Sequence, residues 1–207
     1  MRRWKKRKQN TKTGCSVKGR TTQLKISGSL PVIPTPFFDN RIDFDSLLRL
    51  FDHLFPELDG YTLCGSTGEA ASLTIEERIE LMRFAARQTP AGKSIVVGLT
   101  HTSLEEMRKL VRAAVELGIR AGLVPCPYYF PNSFPMVLEF FRALDGLSEL
   151  ELVLYDNPIF TKTWLRAEEL LRLVDACQHL NAVKNDGSRP QQDSRAEASR
   201  RDGIFGR

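Results

Sequence analysis

The chain has 207 residues, 42% of them hydrophobic, which is enough to fill one core. Its net charge of +5 is unevenly spread: residues 1–25 carry ten Lys/Arg and no acid, and residues 26–184 carry fifteen Lys/Arg against twenty-one Asp/Glu. The body is thus mildly acidic, which restricts a nucleic-acid reading to the head segment, and no apolar run is long enough for a signal peptide or a membrane span.

The head, residues 1–25, reads as a disordered basic extension or as translation from a start codon placed too early, with contact to nucleic acid or anionic surfaces as the alternative. From residue 29 short apolar runs alternate with helical patterns. The strands read as 29–37 (SLPVIPTPF), 60–65 (GYTLCG), 93–100 (KSIVVGLT), 121–129 (AGLVPCPYY), 151–158 (ELVLYDNP) and 180–185 (LNAVKN). Between them lie helices predicted over 44–55, 74–88, 103–118, 134–144 and 166–177. Thr74/Glu77 and Ser103/Glu106 form capping-box patterns, and Gly118 is a stop. The strands recur at roughly the 30-residue length of a βα unit and are apolar on both faces, as in a parallel sheet covered by helices. Residues 189–207 are polar and aperiodic and read as a disordered tail.

An open doubly wound sheet and a (β/α)8 barrel both fit this α/β pattern. No GxGxxG follows the first strand, and the polar residues gather where strands end: Thr35, Gly65 to Glu69, Tyr128-Tyr129, Tyr155 to Asn157 and Lys184. In a barrel all of those ends open on one face, where barrel enzymes keep their chemistry, so the barrel is preferred. Four cysteines without CxxC spacing and three scattered histidines offer no metal motif. Cys64, Cys126 and Cys177 lie in apolar segments and read as buried thiols of a reducing, cytoplasmic compartment.

Each candidate side chain has a plain reading beside a chemical one. The glycine-bracketed turn Gly65 to Ala70 could hold a carboxylate or phosphate through Ser66, Thr67 and their N–H groups, or be an ordinary strand-to-helix turn. Tyr129 and Tyr155 could relay protons or simply be rim aromatics. Lys184 could attack a ketone as a neutral amine, a form that apolar surroundings favour by penalising the charge, or could be a solvated surface lysine. The alternation Ala182, Val183, Lys184 permits an inward lysine without demanding one.

Taken together, IPTPF (33–37), GSTGEA (65–70), PYYF (127–130), YDNP (155–158) and VKND (183–186) resemble the dihydrodipicolinate synthase/N-acetylneuraminate lyase family over about residues 26–188. The resemblance implies a (β/α)8 barrel, homotetrameric in full-length members, that needs no cofactor because pyruvate or a related 2-keto acid forms a Schiff base with a strand-six lysine. It makes Lys184 that lysine and Tyr155 the proton-shuttling tyrosine. Ser66 and Thr67, on the turn opened by Gly65, become the carboxylate-holding pair, with Ser66 also in the relay. Tyr129 becomes the tyrosine that closes the relay across a subunit interface. The implied partners are a 2-keto acid and an aldehyde, with no metal and no membrane.

Two departures qualify it. Phe160 stands where the synthases usually carry a carboxylate-binding arginine, which favours another aldolase or lyase branch. Six strands also fall short of a barrel that typically takes about 250 residues, so the domain is expected to be a partial barrel. The alternative to an enzyme is a truncated or frame-shifted, catalytically inactive copy.

Overall fold

The computed structural model describes residues 26–186; the basic head and the tail predicted over 189–207 lie outside the described residues. A two-residue hairpin, β1 (Phe37–Phe38) and β2 (Arg41–Ile42), leads into α1 (Phe44–Leu54). Five parallel strands follow: β3 (Gly60–Leu63), β4 (Ser94–Gly98), β5 (Ala121–Pro125), β6 (Glu151–Asp156) and β7 (Leu180–Asn185). They pair in chain order, each beside the next. The crossovers are α2 (Ile75–Gln88), α3 (Leu104–Glu116), α4 (Phe134–Asp145), a one-turn α5 (Pro158–Thr161), and α6 (Ala167–Ala176). This is a section of a (β/α)8 barrel, as expected.

The first predicted strand is largely absent. Residues 29–36 contribute one parallel bridge, Val32 to Thr62, held by the Ile33 N–H on the Thr62 carbonyl and the Thr62 N–H on the Pro31 carbonyl, and Phe37 belongs to the β1–β2 hairpin. Pro31, Pro34 and Pro36 remove the donors that a longer ladder requires. The predicted helices form within a residue or two of their expected ends. Thr74 and Glu77 make a reciprocal capping box, whereas Ser103 accepts from the Glu106 N–H and the Glu106 carboxylate turns to Lys109 instead. Gly118 ends α3 in the left-handed region (φ 72°).

Alternation along the strands separates two apolar layers. The larger layer, between sheet and helices, takes Leu63, Val97, Val124, Leu152, Leu154 and Leu180 from the strands and Leu47, Leu81, Leu110, Phe141 and Leu173 from the helices. The smaller layer lies on the opposite, barrel-interior face and holds Val96, Ala121 and Leu123, with Val153 and Tyr155 against them. Cys64, Cys126 and Cys177 are buried free thiols, as predicted. Among the described residues no helix is long and apolar enough to cross a membrane.

Candidate active site

β7 decides where Lys184 points. Leu180 pairs with Leu152 in the helix-facing layer, so strict alternation from Leu180 would send Ala182 and Lys184 the same way. The register instead jumps by one residue: Ala182 pairs with Val153 and Lys184 with Tyr155. Asn181 is the extra residue, and a bulge of this kind reverses the parity downstream. Lys184 therefore shares the interior face with Tyr155, its Nζ 3.9 Å from the centroid of the phenol ring. Val183, on the other face, is 40% exposed, β7 being the edge strand among the described residues.

Tyr155 is held from the next turn. The Asn157 side-chain Oδ1 accepts the Phe160 N–H, which caps α5, and this fixes the amide so that Nδ2 donates to the Tyr155 hydroxyl at 2.9 Å. Asn157 is 3% exposed and its own carbonyl accepts from Thr161. With a phenol lone pair taken by Asn157, the Tyr155 O–H proton is free to be given to a ligand.

The turn after β3 is backbone-strained at both ends. Cys64 (φ 51°) and Glu69 (φ 54°) lie in the left-handed region, costing of order 1–3 kcal/mol each. Among the described residues the N–H groups of Ser66, Thr67 and Gly68 have no hydrogen-bond acceptor, and both hydroxyls are exposed. Successive free amides beside hydroxyls suit a carboxylate. The buried Thr35 hydroxyl anchors the turn by donating to the Gly68 carbonyl at 2.8 Å. From below, Arg78, 1% exposed, donates to the carbonyls of Gly98 (2.6 Å) and Thr100 (2.7 Å), bracing the end of β4. A side chain at Gly98 is impossible, since its Cβ would lie 1.8 Å from the Cys64 carbonyl oxygen.

These elements enclose a cavity of about 300 Å³ at the C-terminal ends of the strands. Gly65, Ser66, Tyr128, Tyr155, Asn157 and Phe160 are among its lining. A larger cavity, about 430 Å³, lies at the opposite ends, near Lys93, Ser94 and Ala121. The smaller one is the candidate site, because it holds the converging hydroxyls and stands at the face where barrels assemble catalytic groups. Of the sequence-predicted residues, Gly65, Ser66 and Tyr155 line it; Lys184 is outside the lining and lies against the Tyr155 ring. Thr67 is on the same turn but outside the lining. Tyr129 is also outside: it is 77% exposed with φ 85°, its ring edge-on to Phe130, while Tyr128 faces the cavity.

Sequence reasoning missed the supporting residues. Asn157 stands in the sequence only as a strand-end polar residue, with nothing to show its grip on Tyr155, and Arg78 is one charge among several on a helix. Asn132 escaped as well: it donates to the carbonyls of Pro127 and Phe130 and so closes the loop that carries the two tyrosines. Among the described residues no group of His, Cys, Asp or Glu is placed to hold a metal ion.

Comparison with known proteins places this architecture. The model of the dihydrodipicolinate synthetase family matches residues 25–200. The 4-hydroxy-tetrahydrodipicolinate synthase of Aquifex aeolicus is 27% identical over 177 residues, which are 85% of this chain and 60% of that one. The synthase structure from Methylacidiphilum fumariolicum SolV superposes with a TM-score of 0.76 at 30% identity, over 80% of this chain and 55% of that one. The structure of YagE, a prophage protein from E. coli K12 in complex with pyruvate, gives 0.71 at 26% identity, over 75% and 54%. The chain thus spans a little over half the length of these relatives. By the family match, and by the barrel section it shares with these structures, this chain is a member of the dihydrodipicolinate synthetase family.

Proposed function

We propose that this chain carries the imine-forming site of a pyruvate-dependent lyase or aldolase, with Lys184 as the amine. The observation that carries the reading is the pairing of Lys184 with Tyr155 on the interior face, Tyr155 lining a cavity that Ser66 also lines, on a turn with unpaired amides. The YagE complex, a relative of the same family, adds that pyruvate is the ligand to expect.

In this reading the pyruvate carboxylate rests on the 65–68 turn, held by Ser66, Thr67 and the backbone N–H groups that Gly65 and Gly68 leave accessible. The neutral Lys184 amine attacks C2, a C–N bond forms, and the ketone oxygen leaves as water after two proton transfers, giving the imine. Tyr155 passes its proton to the imine nitrogen, and the resulting iminium draws electrons from C3, so a C3 proton passes to the Tyr155 phenolate, directly or through the Ser66 hydroxyl, and an enamine results. The enamine carbon then bonds to an aldehyde carbon, whose oxygen takes a proton from the Tyr155 hydroxyl. Water hydrolyses the imine and restores Lys184. One water is released and one consumed, so the sum is 2-keto acid plus aldehyde giving a 4-hydroxy-2-keto acid; the reverse cleaves it. Tyr129 faces away from its own cavity, so its part in the relay would be played in the site of a second subunit.

A second reading, an inactive member, is favoured by one feature: among the described residues Lys184 is on the edge strand, and Val183 beside it is 40% exposed. Borohydride trapping separates the two. The full chain incubated with pyruvate and reduced should gain one pyruvate-derived adduct by intact mass, lost in Lys184→Ala. A folded preparation that gains none overturns the enzyme reading.

A further inference from the structure

We propose that the acceptor for this site is an uncharged aldehyde with an apolar face, selected by Phe160; the proposal rests on Lys184 being the imine lysine. Phe160, on α5, lines the cavity beside Tyr155 and Asn157 and is 62% exposed, so its ring is a free wall rather than a core residue. Ala70, Ala71 and Pro125 continue the apolar surface around it.

Among the described residues no lysine or arginine lines the cavity, and the nearby cations are engaged elsewhere. Lys162 turns away in the left-handed region (φ 56°), and its ammonium donates to the Ile159 carbonyl at 2.6 Å. Arg78 is outside the lining and 1% exposed, with both terminal guanidinium nitrogens on the Gly98 and Thr100 carbonyls. Lys184 is consumed by the keto acid. The one charged side chain on the lining is Glu69, fixed there by its left-handed backbone and exposed. An aldehyde bearing a carboxylate would meet that negative charge with no cation on the described lining to pair with directly, whereas an aromatic or alkyl aldehyde can lay its face on the Phe160 ring and direct its oxygen to Tyr155.

The test supplies pyruvate with benzaldehyde or propanal on one side and glyoxylate or succinic semialdehyde on the other, following product by NMR. Borohydride trapping of the pyruvate imine is run separately on each protein. The full chain should turn over the neutral aldehydes at least about tenfold faster, and Phe160→Arg should shift the preference toward the semialdehydes by about tenfold, the gain expected of a charge-assisted hydrogen bond. Equal or faster use of glyoxylate or succinic semialdehyde by the unaltered chain overturns the proposal while leaving the imine assignment standing. If no imine forms, the imine assignment falls and binding decides the cavity's preference. By saturation-transfer NMR, benzyl alcohol should bind in preference to 4-hydroxybutyrate and lose that advantage in Phe160→Arg; the reverse order overturns the proposal.

Discussion

Asn157 offers the sharpest separation between holding the fold and moving a proton. Its side chain does two jobs through two different atoms: Oδ1 caps α5 through the Phe160 N–H at 3.3 Å, and Nδ2 donates to the Tyr155 hydroxyl at 2.9 Å. Asn157→Ala removes both, costing about 1 kcal/mol for the cap and roughly 0.5–1.5 kcal/mol for the hydrogen bond, or about 2 kcal/mol together. Asn157→Asp keeps the capping oxygen and exchanges the donor for an acceptor. Tyr155 must then turn its proton toward the introduced carboxylate, and that proton is no longer available to a bound ligand. In the proposed chemistry the imine still forms on Lys184, but the phenol no longer passes its proton to the imine nitrogen, no phenolate is left to take the C3 proton, and loss of that proton slows by about 10- to 100-fold, within the range general acid–base catalysis supplies. The assay is exchange of the pyruvate methyl protons in D2O by NMR, beside borohydride trapping of the imine and a urea melt. An Asn157→Asp protein that melts normally, forms the imine and exchanges at the unaltered rate refutes the assignment of Tyr155 as the proton carrier.

Other predictions test the frame. Thr35→Val should cost about 1–3 kcal/mol in urea unfolding, because the buried Gly68 carbonyl loses its donor; an unchanged midpoint would mean that the 65–68 turn does not depend on this anchor. Phe51, fully buried and in ring contact with Phe55, Tyr61 and Phe84, should cost about 3–5 kcal/mol as Phe51→Ala, enough to abolish cooperative melting in a domain of ordinary stability. Burial pushes the Cys64 thiol up to about 11 and the Cys126 thiol up to about 12, with the Asp156 charge adding to the latter. Native protein at pH 8 should therefore resist alkylation at both sites while urea-unfolded protein reacts at once. These raised values also set a direction in base: their contribution to stability is whole below the ordinary thiol value near pH 9 and is lost as pH rises toward 11 and 12, so the urea midpoint should fall across that window. Burial likewise holds Tyr61 near 12.

How far the sequence could be read follows from which forces decide each feature. Helices α1 to α4 and α6 are written in three- and four-residue apolar steps and in local caps, and hydrophobic burial enforces those patterns directly. The parallel strands are likewise legible as short runs apolar on both faces. Residues 29–37 misled because the apolar pattern of a strand was present while three prolines removed its donors, so hydrogen bonding overrode periodicity. α5 was invisible, being one turn long and set by Asn157 and Pro158 rather than by any amphipathic face. The site divides the same way. Gly65, Ser66 and Tyr155 could be found because turn and strand-end chemistry is local, whereas Asn157 and Arg78 act on partners that only the fold brings near.

Lys184 is the instructive case. Counting outward from Leu180, which lies in the helix-facing layer, simple alternation sends Lys184 to that same layer, away from every other candidate residue. The assignment from motif resemblance sends it inward, and the two arguments conflict at a single residue. The bulge at Asn181 resolves the conflict: one unpaired residue restores Leu180 to the outer core and Lys184 to the inner face, so both a buried leucine and an inward lysine are satisfied on a six-residue strand. Period-two reasoning assumes that every residue of a strand is paired. Where a strand packs an outer layer at its start and turns a polar side chain inward at its end, that assumption is the one to give way, because one unpaired residue keeps Leu180 buried and still brings Lys184 beside Tyr155.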